Sequence, residues 1–456
     1  MVVPRLVYPR VTLVSTYDLG RQPFGLASPA AWLREAGAQV TTIDLSRESF
    51  RRDAFDSDLV AFHLPMHTAT RLAVPVIREV RALAPAAQLC CYGLYGPPNE
   101  ALLRELGVEH VLGGEFEQAL LEVVSGEGHR SHVASGPALP RLQFRVPDRK
   151  GLPPLKSYAS VESHSGRRVV GYTEASRGCK HLCRHCPIVP VYAGRFRVIP
   201  CDIVLADIRS QVEAGAEHIT FGDPDFFNGI GHAVSVVEAF SREFPGVSYD
   251  VTIKVEHLRR HADELGRLRD PGCLFVVTAV ESIDDTVLTR LDKGHTRADF
   301  EAVAGRCRSL GLTLSPTFIP FTPWTTLEGY CELLCTLDAL ELVECVAPIQ
   351  LTLRLLIQQG SRLLDLGSGG LGAEIAPFDH DRLLHPWRHR DPRVDRLQEA
   401  VSSLVGRRTV APRTVLFDEI LLVAATEAGL AVPARLTPRK PRPRATVPFL
   451  NEPWYC

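Results

Sequence analysis

Three thiols fall on one short stretch, Glu174-Ala-Ser-Arg-Gly-Cys179-Lys-His-Leu-Cys183-Arg-His-Cys186-Pro187. With twelve cysteines in 456 residues, a C-x3-C-x2-C spacing should arise by chance only about 0.008 times. Positions i, i+4 and i+7 would also line one face of a helix, where cysteine packs as a small hydrophobe. The neighbours Lys180, His181, Arg184 and His185, with Gly178 before and Pro187 and Pro190 after, read instead as a polar loop. A structural zinc could use the three thiols with His181 or His185 in a Cys3His set, although zinc sites more often combine two separated ligand pairs. A [4Fe–4S] cube normally takes four thiolates, one per iron. Three thiolates leave one iron open to chelate a substrate or cosubstrate, which turns an electron carrier into a catalytic centre.

The rest of the chain must position that loop. A length of 456 residues is enough for about three domains. Its 45% hydrophobic and 23% charged residues are globular values, and a net charge of −2 gives no global field for nucleic acid or an anionic membrane. No run approaches the roughly 18 apolar residues of a membrane span, and the opening Met-Val-Val-Pro-Arg lacks a basic region followed by an apolar one. A cytoplasmic location is the expectation, and there the cysteines read as thiols or metal ligands before disulfides.

Residues 1–128 alternate strand and helix signals, which predicts a Rossmann-like, doubly wound parallel sheet. Its ligand-binding edge would be formed by Thr16–Gly25, Pro65–Thr68 and Gly93–Asn99. Residues 129–167 lose the pattern and read as a connector. Residues 168–357 carry a second βα series with six strand candidates, Arg168–Ala175, His218–Asp223, Ser248–Val255, Leu274–Glu281, Leu312–Ile319 and Ala347–Ile357. The fold class is therefore α/β, a Rossmann-like sheet followed by a partial (β/α)6 barrel and a C-terminal extension over 358–456. Barrel chemistry sits at the carboxyl ends of the strands, and the cysteine loop directly follows the first of them. Pro433–Pro443 is basic and proline-rich and reads as a solvated tail.

The cysteine motif after the first strand of a partial barrel resembles the radical S-adenosylmethionine superfamily, and the resemblance covers roughly residues 168–357. It implies that Cys179, Cys183 and Cys186 hold a [4Fe–4S] cluster and that S-adenosylmethionine binds the open iron. Reduction would then cleave the cosubstrate to methionine and a 5′-deoxyadenosyl radical. His185 stands where the family usually has an aromatic residue. Phe221-Gly222-Asp223-Pro-Asp225-Phe226 resembles the stretch holding the methionine amino group, with Asp223 or Asp225 as the carboxylate. Lys254 would pair with the methionine carboxylate, and Glu281 or Ser282 with ribose hydroxyls. Turn, cap and solvated-surface roles remain open for each of these.

The domain preceding the barrel resembles those of cobalamin-associated radical enzymes, with Phe62–Thr70, Tyr92–Gly96 and Gly113–Glu117 at the loop positions. The Asp-x-His-x-x-Gly loop is missing after the first strand, where the chain reads Tyr17-Asp-Leu-Gly-Arg-Gln22, so cobalamin would bind without a histidine ligand there. His63 and His67 read as satisfied strand-end histidines. Cys331, Cys335 and Cys345 lie in an apolar stretch and read as helix packing, with an auxiliary cluster as the alternative. The ending Phe449-Leu-Asn-Glu-Pro-Trp-Tyr-Cys456 resembles an uncharacterised radical-enzyme group whose tail continues Cys-Cys or Cys-selenocysteine-Ala-Glu-Pro. That resemblance implies a selenoprotein read short at UGA, with Cys456 as a redox-active residue. The expected function is radical cleavage of S-adenosylmethionine, acting on a small molecule or peptide with electrons from a flavodoxin or ferredoxin. The alternatives are a cobalamin-dependent methyltransferase or methylthiotransferase of the same superfamily, and a non-catalytic zinc or iron–sulfur module.

Overall fold

The computed structural model describes residues 9–126, 131–132, 143–163, 166–408, 411–431 and 449–451. The amino-terminal unit is a six-stranded parallel sheet in the order β2-β1-β3-β4-β5-β6. Its strands are β1 (Arg10–Ser15), β2 (Gln39–Asp44), β3 (Leu59–His63), β4 (Gln88–Tyr92), β5 (His110–Leu112) and β6 (Ser131–His132). Strand alternation explains its continuous apolar runs. Val14, Val60, Phe62, Leu89 and Cys91 pack in one core, and Leu13, Leu59, Ala61, Cys90 and Tyr92 in another on the opposite face. Cys90 and Cys91 are therefore packing residues of the two layers.

The second sheet has seven strands in the order β14-β13-β12-β11-β8-β7 and then the C-terminal strand Phe449–Leu450. Here β7 is Ser160–Ser163, β8 Gly166–Thr173, β11 His218–Phe221, β12 Ser248–Thr252, β13 Cys273–Glu281 and β14 Thr313–Phe318. A small antiparallel hairpin, β9 (Ser176–Gly178) with β10 (Phe196–Val198), stands between β8 and the helix Cys201–Glu213. Strands β8 and β11 to β14 are parallel, so their carboxyl ends share one rim. The core beneath them is continuous with the helices Pro392–Arg407 and Arg413–Ala428, which bury Val394, Leu397, Val401, Phe417 and Ile420.

Two expectations change. The sixth barrel strand, Ala347–Ile357, is a 3-10 turn (Pro348–Leu351) followed by one isolated bridge, Phe321 to Arg354. Pro348 has no N–H to offer a ladder, and the Gln350 side chain accepts the Phe318 N–H at 3.2 Å, where a neighbouring strand's carbonyl would otherwise stand. The stretch 129–167 is also more than a connector. β7 pairs antiparallel with β8 and extends the barrel sheet, and the terminal strand adds to its outer edge. The basic segment 433–443 and Cys456 lie outside the described residues.

The two units are locked together by buried polar contacts. Arg149 donates to Asp207 at 2.9 Å, to Gln22 at 2.9 Å and to the Tyr172 carbonyl at 2.6 Å, and the Tyr158 hydroxyl donates to Asp44 at 2.9 Å.

Candidate functional site

Strand β8 delivers the chain to the cysteine loop, and β9–β10 fixes its shape. Gly178 has φ +76°, and a Cβ there would stand 2.4 Å from the Arg195 carbonyl oxygen, so only glycine lets the hairpin close. That same carbonyl accepts the Cys179 N–H at 3.0 Å. Cys179 and Cys183 are buried and Cys186 is half-buried. Burial pushes the Cys179 thiol up to about 11 and Cys186 up to about 12, against N–H groups of His181 and Ile188 that hydrogen-bond the two sulfurs. Without a metal these thiols stay protonated at neutral pH, so metal binding must release protons.

Whether the thiols suit zinc or a larger cluster follows from their spacing. Tetrahedral zinc with Zn–S near 2.3 Å needs sulfurs about 3.8 Å apart. Among the described residues, the set of possible ligands gathered within 4.8 Å is Cys179, His181 and Asp225, without Cys183 or Cys186. A Cys3His zinc tetrahedron is therefore not assembled. The His181 ring stands between two carboxylates, with Nε2 3.2 Å from Asp225 and Nδ1 3.4 Å from Glu256. Thiols on one loop but apart suit a cluster that takes each sulfur at a separate corner.

Two buried ammonium groups stand at this site, one on a sulfur and one on a carboxylate. Lys254, just past β12, donates to Cys183 Sγ at 3.6 Å. Lys293 is 2% exposed and meets the Glu281 carboxylate at 3.2 Å; burial lowers its pKa, but Glu281 foremost, and then the Cys183 and Cys186 charges, raise it. Buried lysines are costly unless opposed by negative charge; Glu281 provides it for Lys293, and Lys254 has Cys183 at 3.6 Å and Glu256 at 3.8 Å. The donor set and its counter-charges fit a [4Fe–4S] centre.

The strand-end carboxylates divide the work. Asp223 accepts from the Ala175 N–H at 2.9 Å and the Ser176 hydroxyl at 2.5 Å, and burial raises its pKa to about 7. It fixes the start of the cysteine loop. Asp225 is fully buried; burial pushes its carboxyl up, but His181 and His257 (Nδ1 at 2.7 Å) outweigh that and hold it well below the usual range. Gly222 leaves room for Tyr172, whose hydroxyl would lie 1.8 Å from a Cβ. Glu281 sits at a bulge of β13 with φ +67°, in the region where backbone strain is stored. Its carboxylate meets Lys293 at 3.2 Å and His185 Nε2 at 3.3 Å; burial raises its pKa, but Lys293 most strongly draws it down to about 2. Ser282 accepts the Asp284 N–H at 3.0 Å and, with Glu281, lines a cavity of about 100 Å³ closed by Thr326 and Tyr330.

Sequence reading missed Lys293, His257, Glu256 and His295. The available signal was rarity: only six lysines stand in an arginine-rich chain, and two of them are buried here, Lys254 on Cys183 and Lys293 on Glu281. His295 is buried, with both ring nitrogens lacking a hydrogen-bond partner. The other cysteine candidates do not assemble. Cys331 is buried and Cys335 exposed on the helix Leu327–Ala339, and Cys345 lies beyond that helix, so the expected single packing face is incomplete.

The carboxyl edge of the amino-terminal sheet faces the same loop. Tyr95 is buried at that edge, edge-on to the His67 ring at 6.5 Å. Arg177, two residues before Cys179, enters that edge: it meets Glu117 at 2.7 Å and Glu174 at 2.7 Å, with its guanidinium over the Phe24 and Phe116 rings. Its cross-strand neighbour Arg197 meets Glu115 at 3.0 Å. His63 is turned inward; its ring is packed beside Tyr92 and Phe116 and occupies the space a Cβ on Gly25 would need. His67 contacts the Arg382 carbonyl at 2.7 Å. Neither imidazole is presented as a cobalt ligand.

Comparison with known proteins agrees with this geometry. Residues 173–334 match the model of the Radical SAM superfamily. The chain is 24% identical over 345 residues to hopanoid C-3 methylase of Methylococcus capsulatus, covering 70% of this chain and 64% of that protein. It is 25% identical over 312 residues to tRNA-2-methylthio-N(6)-dimethylallyladenosine synthase of Chlorobium luteolum, covering 64% and 62%. It thus spans less than two thirds of either relative. Among solved structures, the cobalamin-dependent S-adenosylmethionine radical enzyme OxsB with aqua-cobalamin bound superposes with a TM-score of 0.66 at 15% identity, covering 88% of this chain and 67% of that one. The radical S-adenosylmethionine methyltransferase TsrM from Kitasatospora setae, with cobalamin and a [4Fe–4S] cluster, gives 0.56 at 18%, covering 73% and 70%. At those identities the likeness is one of fold. The family match and the curated relatives indicate an enzyme.

Proposed function

We propose, from the premise that residues 173–334 belong to the radical S-adenosylmethionine superfamily, that this enzyme reductively cleaves S-adenosylmethionine and directs the resulting radical to a small-molecule or peptide substrate. One observation carries the reading: three loop thiols, not gathered for a single zinc, with the buried ammonium of Lys254 3.6 Å from Cys183 Sγ. Cys179, Cys183 and Cys186 would hold a [4Fe–4S] cluster. When bound, that cluster supplies the single electron that splits the sulfonium bond of S-adenosylmethionine.

The chain's own residues give the rest. Lys254, 3.6 Å from Cys183 Sγ and 3.8 Å from Glu256, would pair with a ligand carboxylate at the cluster face. Asp225, anchored by His181 and His257, offers a fixed negative charge to an ammonium on the same rim. Lys293 and His185 hold Glu281 in one orientation above the small cavity that Ser282 shares, where ribose hydroxyls would be accepted. Gly222 lets Tyr172 pack beneath the rim, and Asp223 holds the loop start.

Cobalamin is the further cofactor of this reading. It would lie against the carboxyl edge of the amino-terminal sheet without a histidine ligand, a reading supported by the fold of cobalamin-bound neighbours. Methyl transfer is the second reading, supported by the names of the hopanoid methylase and the TsrM methyltransferase. Electrons would come from a flavodoxin or ferredoxin. No helix among the described residues is long and apolar enough to cross a membrane, and we place the enzyme in the cytoplasm. The experiment is anaerobic incubation of the reconstituted protein with S-adenosylmethionine and reductant. Formation of 5′-deoxyadenosine supports cleavage, stoichiometric S-adenosylhomocysteine supports methyl transfer, and neither product refutes both.

A further inference from the structure

A larger cavity lies in the amino-terminal unit, outside the machinery assigned so far. From β1 the chain steps outward to β2 and then returns past β1 to β3, so the strand order reverses at β1. Parallel sheets take ligands beyond the carboxyl ends of their strands near such a reversal. Here those ends border a cavity of about 330 Å³, walled by Thr16 and Tyr17 after β1 and by Leu45, Ser46 and Arg47 after β2. The helix His67–Leu83 closes it with Leu72 and Val76, which are four apart and share one helix face. Leu72 is 44% exposed, although the same helix buries Ala73, Ile77 and Val80. Its side chain offers apolar surface to whatever enters.

The polar wall is built around one cation without a counter-charge. Among the described residues the Arg47 side chain makes no ion pair, and its Nε is buried with no hydrogen-bond partner. The guanidinium is held over the Tyr158 ring, 5.3 Å from its centre. The carboxylates on either side of it in sequence are committed elsewhere. Asp44, fully buried, accepts the Ser46 N–H at 3.0 Å, the Ser46 hydroxyl at 2.7 Å and the Tyr158 hydroxyl at 2.9 Å. Glu48 accepts the Asp44 N–H at 3.1 Å. An unmet buried donor is costly, and a guanidinium fork matches a carboxylate. The Thr16 hydroxyl donates to the Ala69 carbonyl at 2.7 Å, so neither it nor Ser46 has a proton left for a second anion.

We infer that this cavity binds a small apolar carboxylic acid, its carboxylate on Arg47 and its hydrocarbon body against Leu45, Leu72 and Val76. The volume stands at the small end of the range for ligand sites, about 300–1,000 Å³, which suits one ring or a short chain. A single guanidinium with no second free donor suits a monoanion. None of these residues is a candidate for the cluster or for S-adenosylmethionine, so the inference stands apart from the cleavage reading. The site still touches the junction of the two units. Tyr158, under the guanidinium, comes two residues before β7, and β7 pairs with β8, which leads into the cysteine loop. An occupant that fixes Arg47 braces that junction.

The test is a saturation-transfer NMR titration of the full chain with phenylacetate and octanoate, against their neutral amides phenylacetamide and octanamide. The wild-type chain binds at least one acid about tenfold more tightly than its amide, as a charge-assisted pair requires. Arg47→Gln removes that preference by weakening the acid about tenfold while leaving the amide as it was. Leu72→Gln, at an exposed position, keeps the wild-type circular dichroism and weakens acid and amide alike, by about threefold or more. Equal binding of acid and amide, an acid affinity unchanged in Arg47→Gln, or no transfer to either acid overturns the proposal. Displacement of the acid by an equal concentration of inorganic phosphate overturns it too, because the apolar wall would then select nothing. Displacement by hydroxocobalamin also overturns it, since the cavity would then be part of a corrinoid seat and not a site of its own.

Discussion

Replacing Lys254 by methionine keeps the length of the side chain and removes one charge from the sulfur face. Its Nζ lies 3.6 Å from Cys183 Sγ, in a site where the lysine is only 6% exposed. At that separation and an effective dielectric near 20, a unit charge pair is worth about 5 kcal/mol. An electron added to a cluster is spread over its atoms and so feels roughly half of that, about 2 kcal/mol, equivalent to a change on the order of 100 mV for one electron. Removing the cation makes reduction harder, so the midpoint potential moves down. Glu256, at 3.8 Å from the ammonium, reduces the shift without reversing it. The assay is an anaerobic redox titration of the reconstituted protein followed by electron paramagnetic resonance, without S-adenosylmethionine, so that only the protein charge differs. Lys254→Arg keeps the charge and should stay near the wild-type potential. A shift below about 20 mV in Lys254→Met, or an upward shift, would refute the claim that this ammonium supports the cluster charge.

Arg177→Met strands the buried Glu117 carboxylate and removes the cation shared with Glu174; a loss of about 3–5 kcal/mol is expected in urea unfolding, with Arg177→Met/Glu117→Gln recovering part of it. Gly178→Ala places a Cβ against the Arg195 carbonyl at positive φ, so reconstituted iron per chain should drop while far-ultraviolet circular dichroism stays unchanged; full iron loading would contradict the strain argument. Burial lowers the His63 pKa to about 3 from 6.5. The unfolded chain therefore binds a proton that the folded chain refuses, and this stability is complete above pH 6.5 and is lost as pH falls toward 3. His63→Asn should flatten acid unfolding over that window, and an unaltered acid limb would count against it.

Much of the architecture is written in the chain. The strands β1, β3 and β4 follow apolar runs that both faces of a covered sheet demand, and the spacing of the three cysteines with their polar neighbours marks out the candidate metal-binding loop. The rest depended on tertiary placement. Ala347–Ile357 has the apolar composition of a strand, yet Pro348 and the Gln350 side chain divert it. Glu281 reads as a strand-end carboxylate, but the bulge that turns it to Lys293 and His185 has no local signature. Asp223 and Asp225 are two residues apart and indistinguishable by type; only the fold assigns one to the backbone of the cysteine loop and the other to two histidines. Arg177 resembles any other arginine in an arginine-rich chain until the amino-terminal sheet supplies Glu117.

The most direct measurement is Mössbauer spectroscopy of the chain reconstituted with iron-57 under argon, before and after addition of S-adenosylmethionine. Three protein thiols on a four-iron cube predict that about one quarter of the iron signal, the corner without a cysteine, changes its isomer shift when the cosubstrate binds. A spectrum with no four-iron cluster, or one in which S-adenosylmethionine alters no iron, would contradict the account.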